Sequence, residues 1–333
     1  MNQHLRELAQ HGVRLLVAIS AWAASVPAAA QAGYPTGPVR LVVPFTAGGG
    51  TDSVARVVSQ SLGKRLGQLV VVDNRAGGAG AIGTLAVAQS AGDGHNLLLG
   101  SNGTMVLNPL LHRSLKYNVE KDLVPVASIA SVPYLIVAHP QFPARDILGL
   151  IDLARAKPGQ ITFASPGSGT TNHLVGVLLQ SMTKTDMNHV PYRGAAPAMN
   201  DVVSGQVNFM SGDLGTLVPM VKAGKLRALA VTGSKRVTAL PDVPTVAETL
   251  AGFEATGWFG IFAPRSTPRP VIDRLATEIA QAVAGPAVVQ RLEEIGGEPL
   301  VLNSDQLGQL VVTESAKWKK VITENKVTAD ALQ

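Results

Sequence analysis

One pattern occurs twice in this chain and restricts its fold more than any other feature. It is a short apolar strand, a glycine loop and the first turn of a helix. The first copy spans Arg40–Arg56. Leu41, Val42 and Val43 read as a buried strand, and Pro44, which has no N–H, ends it. Gly48, Gly49 and Gly50 allow positive φ and leave amides bare. Thr51 is the expected N-cap, and Asp52 places an acid in the first turn. Val54, Val57, Val58, Leu62 and Leu66 then follow at helical spacing. The second copy begins about 120 residues later. Ile161–Ala164 is its strand, Ser165–Thr171 its glycine loop and Asn172–Met182 its helix, with Leu174, Val177 and Leu178 on one face. Each copy aims free N–H groups and the positive end of a helix at one point, which attracts carboxylate or phosphate. Taken singly, each also reads as an ordinary βα turn. Together they are what two similar domains facing one cleft would supply.

With 333 residues the chain exceeds what one core usually holds, so two domains are expected. Aromatic residues make up only 4% against 46% hydrophobic, so the core is built from Ala, Val, Leu and Ile, as in α/β proteins. Residues 1–32 read as an export signal. Arg6 and Arg14 charge its start, Leu15–Ala24 is an apolar run too short to span a bilayer, and Ala30-Gln31-Ala32 is a small-x-small cleavage site. Ala28-Ala29-Ala30 is an alternative site, so cleavage is placed near residues 30–33, and the mature chain is expected to be exported. The chain has no cysteine, which excludes disulfides and lipid attachment through that residue. The net charge of +5 comes from scattered Lys and Arg and leaves no nucleic-acid footprint.

Several catalytic readings fail on spacing. Gly78–Gly83 is a literal G-x-G-x-x-G, but four residues separate it from the strand Leu69–Asp73. The next strand, Leu97–Leu99, ends in Gly100-Ser101-Asn102 with no acid for a ribose, so a dinucleotide site is rejected. The glycines are expected to serve a tight turn and close helix packing instead. Ser101-Asn102-Gly103-Thr104 is another amide-rich turn that faces a ligand or caps a helix. The histidines have no metal-ligand spacing, and no cofactor is called for. No G-x-S-x-G elbow and no Walker sequence is present. Ser165 and Ser168 lie among glycines without an identifiable base and acid. A secreted serine hydrolase for a small ester or amide therefore stays as the alternative reading. His173 sits beside the second loop, as a ligand contact or a packing histidine. Arg193 in the turn with Gly194 suits an anion or solvent. Asp52 and Asp213 suit capping or recognition of a donor. Val124–Ala138 is a β-like stretch interrupted by Pro133 and expected to run from one domain into the next. A second crossing is expected near residues 254–262.

The residues also resemble the periplasmic solute-binding receptors of tripartite tricarboxylate transporters, the Bug receptors. The resemblance rests on Pro44-Phe45 through Gly48-Gly49 to Asp52-Ala55-Arg56, and on Asn74-Arg75 with Gly77–Gly80 and Ile82-Gly83. It continues through Asp93-Gly94, Ser165-Gly167-Gly169 with His173, Val190–Gly194, Ala223–Ala230, and Leu240–Thr245 with Glu248. These segments cover nearly all of the mature chain. Gly92 and Ala76 stand where the family more often has proline, both outside the proposed grip. The resemblance implies an α/β, two-domain type 2 periplasmic binding protein fold with the ligand cleft between domains. The expected division is residues 33–130 plus 253–333 for domain 1 and 131–252 for domain 2. It implies a receptor, not an enzyme, that works as a monomer in the periplasm. Its ligand is a small organic acid or amino acid, delivered to membrane transporter subunits. Ligand contacts are expected from Phe45, Ala47, Gly48, Gly49, Asp52, Ser101, Asn102, Ser165, Gly167, Gly169, Thr170, His173, Arg193 and Asp213. The loops Phe45–Asp52 and Ser165–His173 are expected to grip one carboxylate, partly through ordered waters.

Overall fold

A computed structural model of the chain describes residues 33–328. The expected export signal, residues 1–32, lies outside the described residues. Strand β1 (Val39–Val43) is buried at Val39, Leu41, Val42 and Val43. A strand buried on both faces is typical of a parallel sheet with helices on each side. Accordingly β1 pairs in parallel with β2 (Val70–Asn74) and β3 (Asn96–Ser101). Helix α1 (Gly50–Leu66) crosses from β1 to β2 and buries Val54, Ala55, Val58, Leu62 and Leu66. Helix α2 (Ala81–Ala88) crosses from β2 to β3.

The G-x-G-x-x-G stretch is a packing device. A Cβ on Gly83 would lie 2.7 Å from the Arg75 carbonyl oxygen and 2.9 Å from Pro44 Cα. Only glycine lets α2 approach that closely.

Strand β4 runs unbroken over the sixteen residues Leu123–Ala138. Then follow α3 (Ile147–Ala156), β5 (Thr162–Ser165), α4 (Thr171–Thr183), β6 (Asn188–Pro191), α5 (Ala195–Val203), β7 (Phe209–Asp213), α6 (Leu214–Lys222) and β8 (Arg227–Val231). The chain returns through β9 (Thr256–Pro264), α7 (Arg269–Val283), α8 (Pro286–Glu294), β10 (Glu298–Pro299) and α9 (Ser304–Glu324).

The sheet order is β2-β1-β3-β9-β4-β7-β5-β6, with β8 and β10 also on β4. Leu123–Pro133 of β4 lies antiparallel to β9. Tyr134–Ala138 pairs with β7 on one side and β8 on the other. One strand thus belongs to two lobes. Pro133, expected to interrupt β4, marks the point where its partners change. Its missing N–H is tolerated there because one ladder ends as the next begins. The return crossing is complete by Ala255, whose N–H bonds the Thr232 carbonyl at 3.2 Å. Strand β9 already belongs to the first lobe.

Helix α1 starts at Gly50 with Gly49 as N-cap, so Thr51 lies inside the helix. The reason is local. Asp52 Oδ2 accepts the Gly48 N–H at 2.9 Å and closes the loop from within the first turn, leaving no role for a hydroxyl cap. In contrast, Asp146 caps α3 and Asn303 caps α9 through their side chains, the latter in a reciprocal box with Gln306.

Candidate functional site

A cavity of about 320 Å3 lies between the lobes. That is near the lower end of the roughly 300–1,000 Å3 usual for small-molecule sites. Phe45, Gly50, Thr51 and Val54 enter its wall from the β1–α1 unit, and Ala79, Ser101, Asn102 and Gly103 from the neighbouring turns. The second lobe contributes Ser168–Asn172 at the start of α4, and Asp213 at the end of β7. The shared strands supply Val132, Tyr134, Gly257, Trp258 and Phe259. The first turns of α1 and α4 therefore meet on one cavity. Amides in a first helical turn have no acceptor within the helix, and the helix dipole favours an anion beside them.

The β1–α1 loop is held by charge. The Asp52 carboxylate, only 3% exposed, accepts from the Gly48 N–H, from Arg56 Nε at 2.9 Å and from Asn74 Nδ2 at 3.0 Å. Asn74 Nδ2 also reaches the Phe45 carbonyl at 3.1 Å. The Arg56 hydrogen bond leads in holding the Asp52 carboxyl below the usual carboxylate range, with Gly48 and Asn74 adding to it against the opposing effect of burial.

The β5–α4 loop is held by neutral groups. Thr170 caps α4, accepting the His173 N–H at 3.3 Å and donating to the Gly167 carbonyl at 2.8 Å. His173 Nδ1 accepts the Gly169 N–H at 3.0 Å, which puts the proton of the neutral ring on Nε2. The His173 ring stacks on His189, with centroids 3.8 Å apart and planes 12° from parallel. Burial, and then the neighbouring His189, push the His173 pKa down to about 3. Ser165 Oγ lies 2.6 Å from His189 Nε2 and also exchanges hydrogen bonds with Gly167. This serine–histidine pair is the nearest approach to the hydrolase alternative. Ser165 is fully buried and absent from the cavity wall, so its hydroxyl cannot reach a substrate there.

Six residues singled out from sequence lie in the wall: Phe45, Ser101, Asn102, Gly169, Thr170 and Asp213. Ala47, Gly48 and Gly49 form an exposed loop bracketed by the wall residues Phe45 and Gly50. Asp52, Ser165 and His173 are buried behind the loops, and Gly167 shapes the second loop with φ of 156°. Arg193 is exposed in a turn that Gly194 ties to the Pro166 carbonyl at 3.0 Å. Ser168, Thr171 and Asn172, not named individually as contacts, also line the wall and lie inside the loop Ser165–His173 expected to grip the ligand. Thr51, expected only as a cap, likewise lies in the expected first loop, whereas sequence reasoning missed His112, Tyr134 and Trp258, which carry no local signal. Burial lowers the His112 pKa, and burial together with the Asp213 charge raises that of Tyr134.

Residues 54–327 match the family described as "Tripartite tricarboxylate transporter family receptor". The chain belongs to this receptor family. Among relatives, a protein from the tcbD-tcbE intergenic region of Pseudomonas sp. strain P51 is 40% identical over 89% of both chains. Protein BugT of Bordetella pertussis is 37% identical over 93% of this chain and 97% of its own. Among solved structures, Rpa4515 of R. palustris, with adipate, superposes with a TM-score of 0.78 at 35% identity, covering 89% of this chain and 99% of that one. MatC of Rhodopseudomonas palustris, with bound malate, gives 0.71 at 35% identity over 87% of this chain and 100% of its own. The fold is the two-domain α/β architecture of these periplasmic solute-binding proteins. The family consists of periplasmic receptors that work with tripartite transporters, and these similarities do not support the serine hydrolase alternative.

Proposed function

We propose that this receptor is exported, trimmed near residues 30–33 and captures a small carboxylate in the cavity between its lobes. It then presents the ligand to transporter subunits in the membrane. The observation that supports this reading is the convergence of the α1 and α4 first turns on one cavity of about 320 Å3. Each N-terminus favours an anion by about 0.3–1 kcal/mol when exposed and by up to about 2 kcal/mol when partly buried. Closure of the lobes strengthens both by excluding water. Adipate on Rpa4515 and malate on MatC are the ligands of similar chains. In this chain the gripping groups are assigned to Gly50 and Thr51 on one side and Ser168–Asn172 on the other. The moving bodies are taken as residues 33–130 with 253–333, and residues 131–252. The chain acts as a monomer and returns its ligand unchanged.

The test is a thermal-shift panel of mono-, di- and tricarboxylates and amino acids, with mass spectrometry of co-purified small molecules. Ligand at about 100 times its Kd adds roughly 2.7 kcal/mol, a rise of roughly 5–10 °C for lobes of this size. No shift with any carboxylate and no co-purified acid would sink the reading. Intact mass of native-envelope protein beginning near residues 31–34 checks export; retention of Met1 contradicts it. Elution at dimer mass contradicts the monomer.

A further inference from the structure

Asp213 is the one acid in the cavity wall among the described residues, and no lysine or arginine lines that wall. It stands at the C-terminal end of β7, opposite Tyr134 of β4. It is the N-cap of α6, yet its side chain makes no capping hydrogen bond. Nor does its carboxylate form an ion pair among the described residues. The residue is exposed to the cleft, while the protein around it strips enough water to raise its pKa. Asp52 shows the contrast: its carboxylate is satisfied on both oxygens by the loop it closes.

A second acceptor in the same wall lacks a donor. Asn102 is 1% exposed and gives its Nδ2 to Glu314 Oε2 at 3.0 Å, and its Oδ1 has no partner. Glu314 fixes which way the amide faces, because a carboxylate can only accept. Glu314 also takes the Trp318 Nε1–H at 2.8 Å, so the arrangement is braced from behind. A buried acceptor without a donor is costly unless a ligand or water fills it.

The cavity thus has two kinds of polar groups. The helix first turns offer donors. Asp213 offers an exposed acceptor, and the unpartnered Asn102 Oδ1 lies buried behind the wall. The donors at α4 and the acid at Asp213 are fastened to each other. Asn172 Nδ2 donates to the Ser211 carbonyl at 3.1 Å, and Ser211 Oγ donates to the Asn172 carbonyl at 2.9 Å. Asp213 follows Ser211 by two residues. An anion at the start of α4 therefore lies on the same rigid patch as the free carboxylate. A second carboxylate of the ligand would meet Asp213 as a like charge, with no cationic side chain in the wall to offset it.

We propose that Asp213 selects a carboxylate that also carries a protonated amine, making an amino acid the ligand class and disfavouring dicarboxylates. This rests on the receptor reading above and names its substrate class. The carboxylate of the ligand meets the helix first turns, and its ammonium meets Asp213. Discrimination of this kind comes both from the attractive pair and from the repulsion of the wrong ligand.

Calorimetry with four matched four-carbon probes tests it: 2-aminobutyrate, 4-aminobutyrate, butyrate and succinate, each against wild type and Asp213→Asn. The variant should fold, since the Asp213 side chain caps nothing and pairs with nothing, and its melting temperature without ligand checks this. One of the aminobutyrates should bind wild type most tightly and lose about tenfold or more in Asp213→Asn, the scale of one charge-assisted hydrogen bond. Succinate should bind the variant more tightly than wild type. If succinate or butyrate binds wild type at least as well as both aminobutyrates, or if the aminobutyrates bind both proteins equally, the amine assignment is overturned while the carboxylate receptor stands. If no probe binds and the broader carboxylate panel is also silent, both readings fall together.

Discussion

The β1–α1 and β5–α4 loops follow the same local sequence recipe but are held by opposite chemistry. In the first, an ionised carboxylate sits at the helix N-terminus, and Asp52 takes the Gly48 amide for itself. In the second, the work falls to a hydroxyl and a neutral ring, Thr170 and His173. A helix dipole favours one nearby anion, and an acid already in place reduces what a ligand can gain. The α4 terminus has no acid within its own first turn. It is the stronger candidate for direct contact with a ligand carboxylate, whereas the α1 terminus is the more rigid wall. Keeping His173 neutral also serves α4: a protonated imidazole could not accept the Gly169 N–H, and the glycine loop would lose its anchor.

The largest expected effect separates the two loops by affinity. Ser168→Glu places a charge in the wall without removing the Thr170 cap, and should weaken carboxylate binding about 100-fold, or about 2.7 kcal/mol. Thr51→Glu on the other side should cost nearer tenfold. Calorimetry on both variants decides; equal losses would erase the distinction, and wild-type affinity in Ser168→Glu would remove α4 from the site.

Next is the charged brace. Asp52→Ala strands the Gly48 and Asn74 donors and should destabilise the apo protein by about 2 kcal/mol in urea unfolding, the usual scale for hydrogen bonds to a buried charge. A loss below about 0.5 kcal/mol would mean the loop holds its shape without the acid.

The neutral brace has a pH signature. The folded His173 pKa is about 3 against an ordinary value of 6.5. The unfolded chain therefore takes the proton first. The stability is whole above the ordinary value and falls as pH drops from there toward 3. At about 1.4 kcal/mol per unit, roughly 1.4 kcal/mol should be lost by about pH 5.5. His173→Asn, whose Oδ1 can accept from Gly169, should flatten that slope. An unchanged slope would place the proton uptake elsewhere.

The smallest effect lies within the first loop. Gly48 has φ of 83°, and Gly49 is extended with φ of −81°. Gly48→Ala should cost about 1 kcal/mol, while Gly49→Ala, whose added methyl would meet nothing closer than the Thr46 oxygen at 3.6 Å, should stay within about 0.5 kcal/mol. Equal costs would show that the loop's glycines are held by something other than backbone angle.

The recipe itself was legible in sequence because each part is local. The apolar run, the proline stop, the glycines and the helical period all fall between Leu41 and Leu66 in the first copy. The family resemblance was legible for the same reason, as a string of short motifs. What sequence did not yield depends on register. His189 reaches Ser165 and stacks on His173 only because β6 aligns with β5 so that His189 faces Phe163. Tyr134 and Trp258 enter the cavity because β4 and β9 pair antiparallel up to Pro133. Asp213 was noticed, but its significance rests on what it lacks, and only coordinates show that. The expected Thr51 cap failed because a stronger acceptor, Asp52, lay one position further on.

Strand β4 has a consequence for the order of assembly. Its first half waits for β9, whose residues follow more than a hundred positions later, while its second half pairs with β7 and β8 from the intervening chain. The strands between Tyr134 and Val231 can therefore close their sheet from one continuous stretch. The first lobe cannot be completed until the C-terminal strands and helices arrive. Shorter loops close at lower entropic cost and sooner, so the inserted lobe should be first to protect its amides. Pulse-labelled hydrogen exchange during refolding would show β5 and β7 guarded before β3 and β9. In a chain threaded out amino end first, β1 and β2 would pair at once, while the outer edge of β3 and the first half of β4 would wait for β9, exposed the longest to any helper that binds unpaired sheet.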